Sequence, residues 1–330
     1  MRLACINVDL DGLRHYAGIH GLPEASLAPG GGDAVARLGP PRFCELLAER
    51  GLRGTLFAVG DDLLARRSAP AEPDGEGEPA ALLPGAAPLR AAAEAGHEIG
   101  NHTRHHRYDL TRLPDDRIAR EVHGGAKAIA AAVGRRPVGF RAPGYTLSPA
   151  VLRAAIDAGH RYDSSTYPAA PYYLGKASVL ALQRLVGRRS RAILDRPRVL
   201  AAPALPYRPS ATEPYARGEL PLWELPVTVE PLTRFPFIGT FVTTLPRRAL
   251  ALLYRRVRRR PFLNLELHGV DLMDESDGAG DRLARVQREL RVPAREKIAR
   301  LRDLLARIAA DYEVVTLAEA AERLSAGGVW

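Results

Sequence analysis

The sequence predicts an α/β fold in which strands and helices alternate. Three observations carry this. Short apolar runs alternate with amphipathic helical stretches in βα order along the chain. Several of the runs end where a polar, chemistry-bearing residue begins. A chain of 330 residues at 46% hydrophobic can bury a sizeable core, so one large domain over residues 1–330 is expected.

The first element is a strand over Leu3–Val8, which runs directly into Asp9-Leu10-Asp11. A helix from Pro41 to Arg50 and a strand from Gly54 to Val59 follow. Residues 68–88 are rich in Pro, Gly and Glu and read as a mobile surface loop. Next come a helix from Leu89 to Ala95, ended by Gly96, and a strand over Glu98–Gly100. Asp115 to Val133 is helical and stops at Gly134, and Val138–Phe140 is a strand feeding Arg141. A helical pattern from Leu147 to His160 leads to a short strand ending at Asp163. Residues 167–222, with many Pro and Tyr, form an insertion of the kind that shapes specificity. Then come Trp223-Glu224-Leu225-Pro226, a strand over Phe262–Leu267, a helix from Pro293 to Ala309 and a closing strand over Tyr312–Leu317.

The segment from His97 to His106 holds four of the nine histidines. His102 and His106 stand four apart, which places both imidazoles on one side of a helical turn where they can reach one cation. Packing rarely needs three His in five positions, although a solvated His-rich loop also fits. His105 is an alternative ligand to His106, but the i, i+4 spacing favours His106. In an extended chain Asp9 and Asp11 point the same way. Two carboxylates so close ionise together cheaply only beside a cation. An Asx turn into Gly12 is the plain alternative for that pair.

With these residues in order, Asp9-x-Asp11, His102-Thr103-x-x-His106, Arg141-Ala142-Pro143-Gly144-Tyr145 and Leu267-His268, the chain resembles the polysaccharide deacetylase (NodB-homology) family from residue 3 to about residue 320. Two departures stand out. Leu10 separates the two acids, as in the branch resembling peptidoglycan deacetylases with a D-V-D start and amide hydrolases of purine catabolism. The third motif reads R-A-P-G-Y, which shifts its aromatic by one position. The resemblance implies a distorted (β/α) barrel of about seven strands. It also implies one divalent metal held by Asp11, His102 and His106, with Asp9 as general base, Arg141 holding Asp9 ionised, and His268 protonating the leaving amine. Zinc suits such an O/N/N set, and cobalt, nickel or manganese also fit. A backbone N–H near Gly144 completes an oxyanion hole in this reading. Tyr145 and Trp223 line the substrate pocket, with a core role open for Trp223. His97 is structural or supports the ligands, and Asp163 orients Arg141 or His268 or is a turn acid. Asp271, three beyond His268, is a further candidate to orient it. Tyr16, His20, Tyr172 and Tyr173 are candidates for choosing the substrate.

The implied activity is hydrolysis of an N-acetyl or N-formyl amide on an amino sugar. The competing readings are a metal-free amide hydrolase of the allantoinase kind and a non-catalytic carbohydrate-binding homologue. The presence of Asp11, His102 and His106 together favours the first, and a pseudoenzyme would be expected to have lost Asp9 or His268. Of 47 basic residues 44 are Arg, a pattern attributed to GC-rich coding before nucleic-acid binding, and no aromatic interleaving suggests strand stacking. The runs Arg255–Arg260 and Gly187–Arg191 are candidates to meet anionic lipid or a phosphate-bearing substrate, although a solvated face is the simpler reading. Two cysteines set no disulfide framework. No signal-like segment precedes the first strand and no apolar run reaches membrane-spanning length, so a cytoplasmic enzyme acting on a nucleotide- or lipid-linked sugar is expected.

Overall fold

In the computed structural model, which describes residues 2–64, 81–185, 187 and 190–327, eight strands form one parallel sheet. The strands are β1 (Leu3–Asp9), β2 (Thr55–Ala58), β3 (Glu98–Asn101), β4 (Gly139–Phe140), β5 (Tyr162–Asp163), β6 (Trp223–Glu224), β7 (Phe262–His268) and β8 (Glu313–Val314). Their order is β6-β5-β4-β3-β2-β1-β7. One edge of β1 is divided: Leu3 and Ala4 pair with β8, and Asn7 to Asp9 pair with β2. The sheet curls until its outer members meet just beyond β6. There the Thr228 amide donates to the Asn264 carbonyl (3.1 Å) and the Asn264 amide to Thr228 Oγ1 (2.7 Å). These isolated bonds in place of a ladder make the barrel distorted, as the resemblance implied.

The helices are α1 (Leu13–Ile19), α2 (Ala34–Ala48), α3 (Ala86–Glu94), α4 (Asp115–Val133), α5 (Pro149–Asp157), α6 (Ala170–Leu185), α7 (Gly239–Thr244), α8 (Arg247–Val257), α9 (Gly280–Val286), α10 (Ala294–Asp311) and α11 (Leu317–Ser325). The largest core cluster packs β1, β2 and β7 against α2, α3 and α10, with Ile6, Phe43, Leu265 and Leu305 at most 1% exposed. Because every strand is parallel, all carboxyl ends lie on one rim. Asp9, Asn101, Phe140, Asp163 and His268 are the last residues of their strands, and in register Asp9 stands beside His268.

Several expected elements shift. The helix expected from Pro41 begins at Ala34, and Pro40 and Pro41 sit inside it. Burial of Ala34, Val35 and Ala36 offsets the two backbone bonds the prolines cannot make. The loop expected over 68–88 lies outside the described residues as far as residue 80. Beyond it Leu82 bridges Leu64 and α3 starts at Ala86. The insertion 167–222 contains α6. The closing strand is only two residues, because Thr316 turns the chain into α11 through a capping box with Glu319. Among the described residues no helix is long and apolar enough to cross a membrane.

Candidate active site

The His102–His106 segment is a loop and not the helical turn expected from its spacing. Thr103 (φ 66°) and His106 (φ 52°) are left-handed. Side chains replace the helical bonds. Asn101 Oδ1 accepts from the Thr103 amide (3.0 Å), Thr103 Oγ1 from the His106 amide (3.1 Å), and Glu121 Oε2 from the His105 amide (3.0 Å). The loop lies so close to α4 that a Cβ on Gly125 would collide with Asn101 Oδ1 and the Thr103 carbonyl.

This loop brings three ligand atoms together. His102 Nε2 and His106 Nε2 lie 3.1 and 3.0 Å from Asp11 Oδ1 and 3.1 Å from each other. Donors bound to one ion at about 2.0–2.2 Å stand roughly 3.0–3.5 Å apart. The His102 Nδ1–H donates to the Arg141 carbonyl (2.7 Å), which leaves Nε2 as a lone pair aimed at the triangle. Burial opposes the charge on Asp11, yet His106 and His102 hold its carboxyl well below the usual carboxylate range. All three residues are buried. This donor set fits one divalent ion. His105 does not join it: its ring is half exposed and pairs with Glu121 (2.8 Å).

Arg141 is fully buried beside this triangle. Its Nη1 donates to Asp9 Oδ1 (2.6 Å) and Asn7 Oδ1 (2.7 Å), its Nε to the Ser164 carbonyl (2.7 Å) and its Nη2 to Ser164 Oγ (2.8 Å). The guanidinium also lies 4.2 Å from the centre of the Phe57 ring. Burial raises the Asp9 carboxyl above its ordinary value while Arg141 pulls it down. A carboxylate so placed is a stronger base than one in water.

On the other flank, His268 Nδ1 contacts the buried Glu266 carboxylate at 2.9 Å, and its Nε2 lies 3.2 Å from the Tyr145 hydroxyl. Burial alone would lower the imidazole, but Glu266 carries it well above its ordinary value, which favours the protonated form. Asp271 accepts the His268 backbone amide (2.8 Å) and does not orient the ring. Lys297, buried behind this turn, donates to the carbonyls of Val270 (2.7 Å), Glu289 (2.8 Å) and Met273.

Asp9, Asp11, His102, Gly144, Tyr145 and His268 all line one cavity of about 400 Å³, shared with Tyr16, Tyr108, Tyr172 and His20. A larger cleft of about 840 Å³ beside Arg37 and Arg285 holds none of these groups. Gly144 (φ 65°) and Tyr145 (φ 61°) are both left-handed, which turns the Tyr145 ring toward His268. The Tyr145 amide itself is committed to the Ala142 carbonyl (3.1 Å).

Three expectations, for Trp223, Asp163 and Tyr173, need correction, and His97 takes the structural one of its two readings. Trp223 is not in the cavity: its indole donates to Ser325 Oγ (3.0 Å) and lies under Arg208, because it opens β6 at the end of the strand away from the site. Asp163 does not touch Arg141 or His268. It accepts from Ser165 Oγ (2.6 Å), whose oxygen accepts the Ala142 amide (2.8 Å), so it braces the turn that carries Arg141. His97 lies before β3, where its Nδ1 accepts the Gly54 amide (3.2 Å). Tyr173 turns away, donating to the Asp195 carbonyl (2.9 Å). The residues missed in the sequence are Asn7, Ser164 and Glu266. Two of them stand two positions from a recognised residue in the same strand, Asn7 before Asp9 and Glu266 before His268, and that alternation was a usable signal.

Residues 33–162 match the family model described as polysaccharide deacetylase. A peptidoglycan-N-acetylglucosamine deacetylase of Bacillus cereus is 33% identical over 73 residues, which is 22% of this chain and 33% of the relative. The chain therefore spans about a third of the length of that relative. A Mycobacterium smegmatis structure assigned to the polysaccharide deacetylases superposes with a TM-score of 0.56 at 18% identity, covering 98% of this chain and 90% of the other, and it shares the fold. A Bacillus anthracis pseudoenzyme of carbohydrate esterase family 4 is similar at a TM-score of 0.48 and 11% identity, over 97% of this chain and 65% of the other.

Proposed function

We propose that this chain, whose residues 33–162 match the polysaccharide deacetylase model, is a member of that family and hydrolyses an N-acetyl or N-formyl amide on an amino sugar with the help of one divalent metal. The observation that carries the reading is the meeting of three features on one cavity wall: the Asp11–His102–His106 triangle, the Asp9–Arg141 pair and the Glu266–His268 pair. Asp11, His102 and His106 would hold the metal, zinc by donor chemistry with cobalt, nickel or manganese as substitutes. When bound it supplies Lewis-acid polarisation of the amide carbonyl and a more acidic water.

Asp9 takes the proton of the attacking water, and Arg141, itself held by Asn7 and Ser164, keeps its carboxylate turned toward the cavity. His268, held protonated by Glu266, gives its Nε2 proton to the departing nitrogen. The Tyr145 hydroxyl holds that nitrogen in place until substrate displaces it. The Gly144 amide is the candidate donor to the developing oxyanion. Tyr16, Tyr108 and Tyr172 offer ring faces to a sugar. A cytoplasmic setting with a nucleotide- or lipid-linked sugar belongs to the same proposal.

The test is release of acetate or formate from N-acetylated and N-formylated amino sugars, free and carrier-linked, by wild type and Asp9→Asn. The variant loses about 10²–10⁴-fold in rate. A near-normal rate for Asp9→Asn would overturn the base assignment.

A further inference from the structure

Helix α6 forms one wall of the cavity, with Tyr172, Lys176, Val179, Leu180 and Gln183 lining it at helical spacing. Among the described residues, Lys176 is the only Lys or Arg that lines the cavity. It is half-buried, and its ammonium makes no ion pair with any described residue. Its Nζ lies 3.5 Å from the Gly144 carbonyl, a long contact for a hydrogen bond, and 5.7 Å from the centre of the Tyr172 ring. An ammonium carries three donors, so most of its capacity is open to a ligand.

The acids around it are committed elsewhere. Asp9 pairs with Arg141, Asp11 lies between two imidazoles, and Glu289 accepts from Gln287 (2.8 Å). Asp195, close enough to feel the Lys176 charge, is taken by the Tyr215 hydroxyl and the Arg196 amide (2.6 Å). The chain's other two lysines differ: Lys297 is buried on three carbonyls and Lys127 is exposed on α4.

Position decides which part of a substrate Lys176 meets. Gly144 touches Lys176 and leads directly to Tyr145, whose hydroxyl lies 3.2 Å from His268 Nε2. In the proposed reaction His268 protonates the departing nitrogen, and that nitrogen stays on the sugar. Lys176 therefore stands on the sugar side of the scissile amide.

We propose that Lys176 binds an anionic group carried by the sugar, so that the substrate is an amino sugar bearing a phosphate or a carboxylate. This rests on the hydrolase reading for the orientation of the substrate. A half-buried ammonium with unfilled donors gains from an anion, and it meets phosphate or carboxylate oxygens as a compact point charge.

The test is calorimetric binding to the zinc-loaded full chain in the Asp9→Asn background, where turnover is slow. The probes are methyl N-acetyl-β-glucosaminide, N-acetylglucosamine 1-phosphate and N-acetylmuramic acid. At least one anionic probe should bind about tenfold tighter than the neutral one, a gain that shrinks at high salt. Adding Lys176→Gln should cut the gain to about twofold or less, while Lys176→Arg keeps most of it and thermal melting is the same in all three proteins. A gain confined to the 1-phosphate identifies phosphate as the charge, and one confined to the muramic acid identifies a carboxylate. No gain for either anionic probe, or a gain that survives Lys176→Gln, overturns the proposal. Acetate release by the wild type is followed separately. A Lys176-dependent gain without release would overturn the hydrolase reading alone, and release without any charge preference would overturn the Lys176 assignment alone.

Discussion

Replacing Glu266 by Gln keeps the shape of the group behind His268 and removes its charge. Glu266 Oε1 lies 2.9 Å from His268 Nδ1, so the attraction to an imidazolium is about 1.4 kcal/mol at a water-like dielectric and about 6 kcal/mol at an effective value near 20. At about 1.36 kcal/mol per unit these limits correspond to roughly one to four pKa units. The His268 side chain keeps 18% of its surface open to the cavity, which favours the lower half of that range. The sign follows from the role. An acid must be protonated, so the rate falls as pH rises through the His268 pKa, which Glu266 holds well above the ordinary value. In Glu266→Gln the alkaline limb of kcat/KM for acyl release therefore moves to lower pH by one unit or more. The acid limb also moves down, by less, because Glu266 is a minor cause of the raised Asp9 carboxyl. An alkaline limb that stays where wild type has it would refute the assignment of His268 as the acid tuned by Glu266.

Arg141→Met should lower unfolding free energy by about 3 kcal/mol or more, read by denaturant titration, because Asp9 is left charged and unpaired in the interior. Activity falls with it, since Arg141 donates the 2.6 Å bond that fixes that carboxylate. Gly144→Ala forces a side chain into left-handed backbone and brings a Cβ to 2.9 Å from Tyr108 Cδ1. About 1–2 kcal/mol of strain follows, and the measured consequence is a higher KM or lower kcat with a native circular-dichroism spectrum. Wild-type melting and kinetics in both experiments would contradict the geometry described.

Much of this site was legible because the parallel sheet gathers strand ends on one rim, so that Asp9 and His268 end apolar strands, and His102 and Arg141 directly follow β3 and β4. The first two motifs were harder to shape. His102 and His106 do share a ligand position, but through a left-handed loop pinned by Asn101, Thr103 and Glu121, a tertiary device that spacing alone cannot reveal. Trp223 was misplaced because a two-residue strand gives no indication of which end faces the site; its indole went to α11, itself signalled only by the Thr316–Glu319 capping pair. The partners of Arg141 were invisible for a similar reason: Ser164 reaches it only because β4 and β5 are neighbours. Glu266 was different. Its place two residues before His268 fixed it to the same face of β7, and that periodicity was there to be read.

In the proposed function Asp11, His102 and His106 hold one divalent ion. The most direct measurement is metal content by mass spectrometry of wild type, Asp11→Asn, His102→Ala and Asp9→Asn after reconstitution with zinc. The account predicts about one ion per chain in wild type and Asp9→Asn, and loss from the other two, since removing one of three ligands leaves too few donors for a stable site. Wild type that takes up no metal, or an Asp11→Asn protein that holds it as tightly as wild type, would contradict the account and favour a metal-free amide hydrolase.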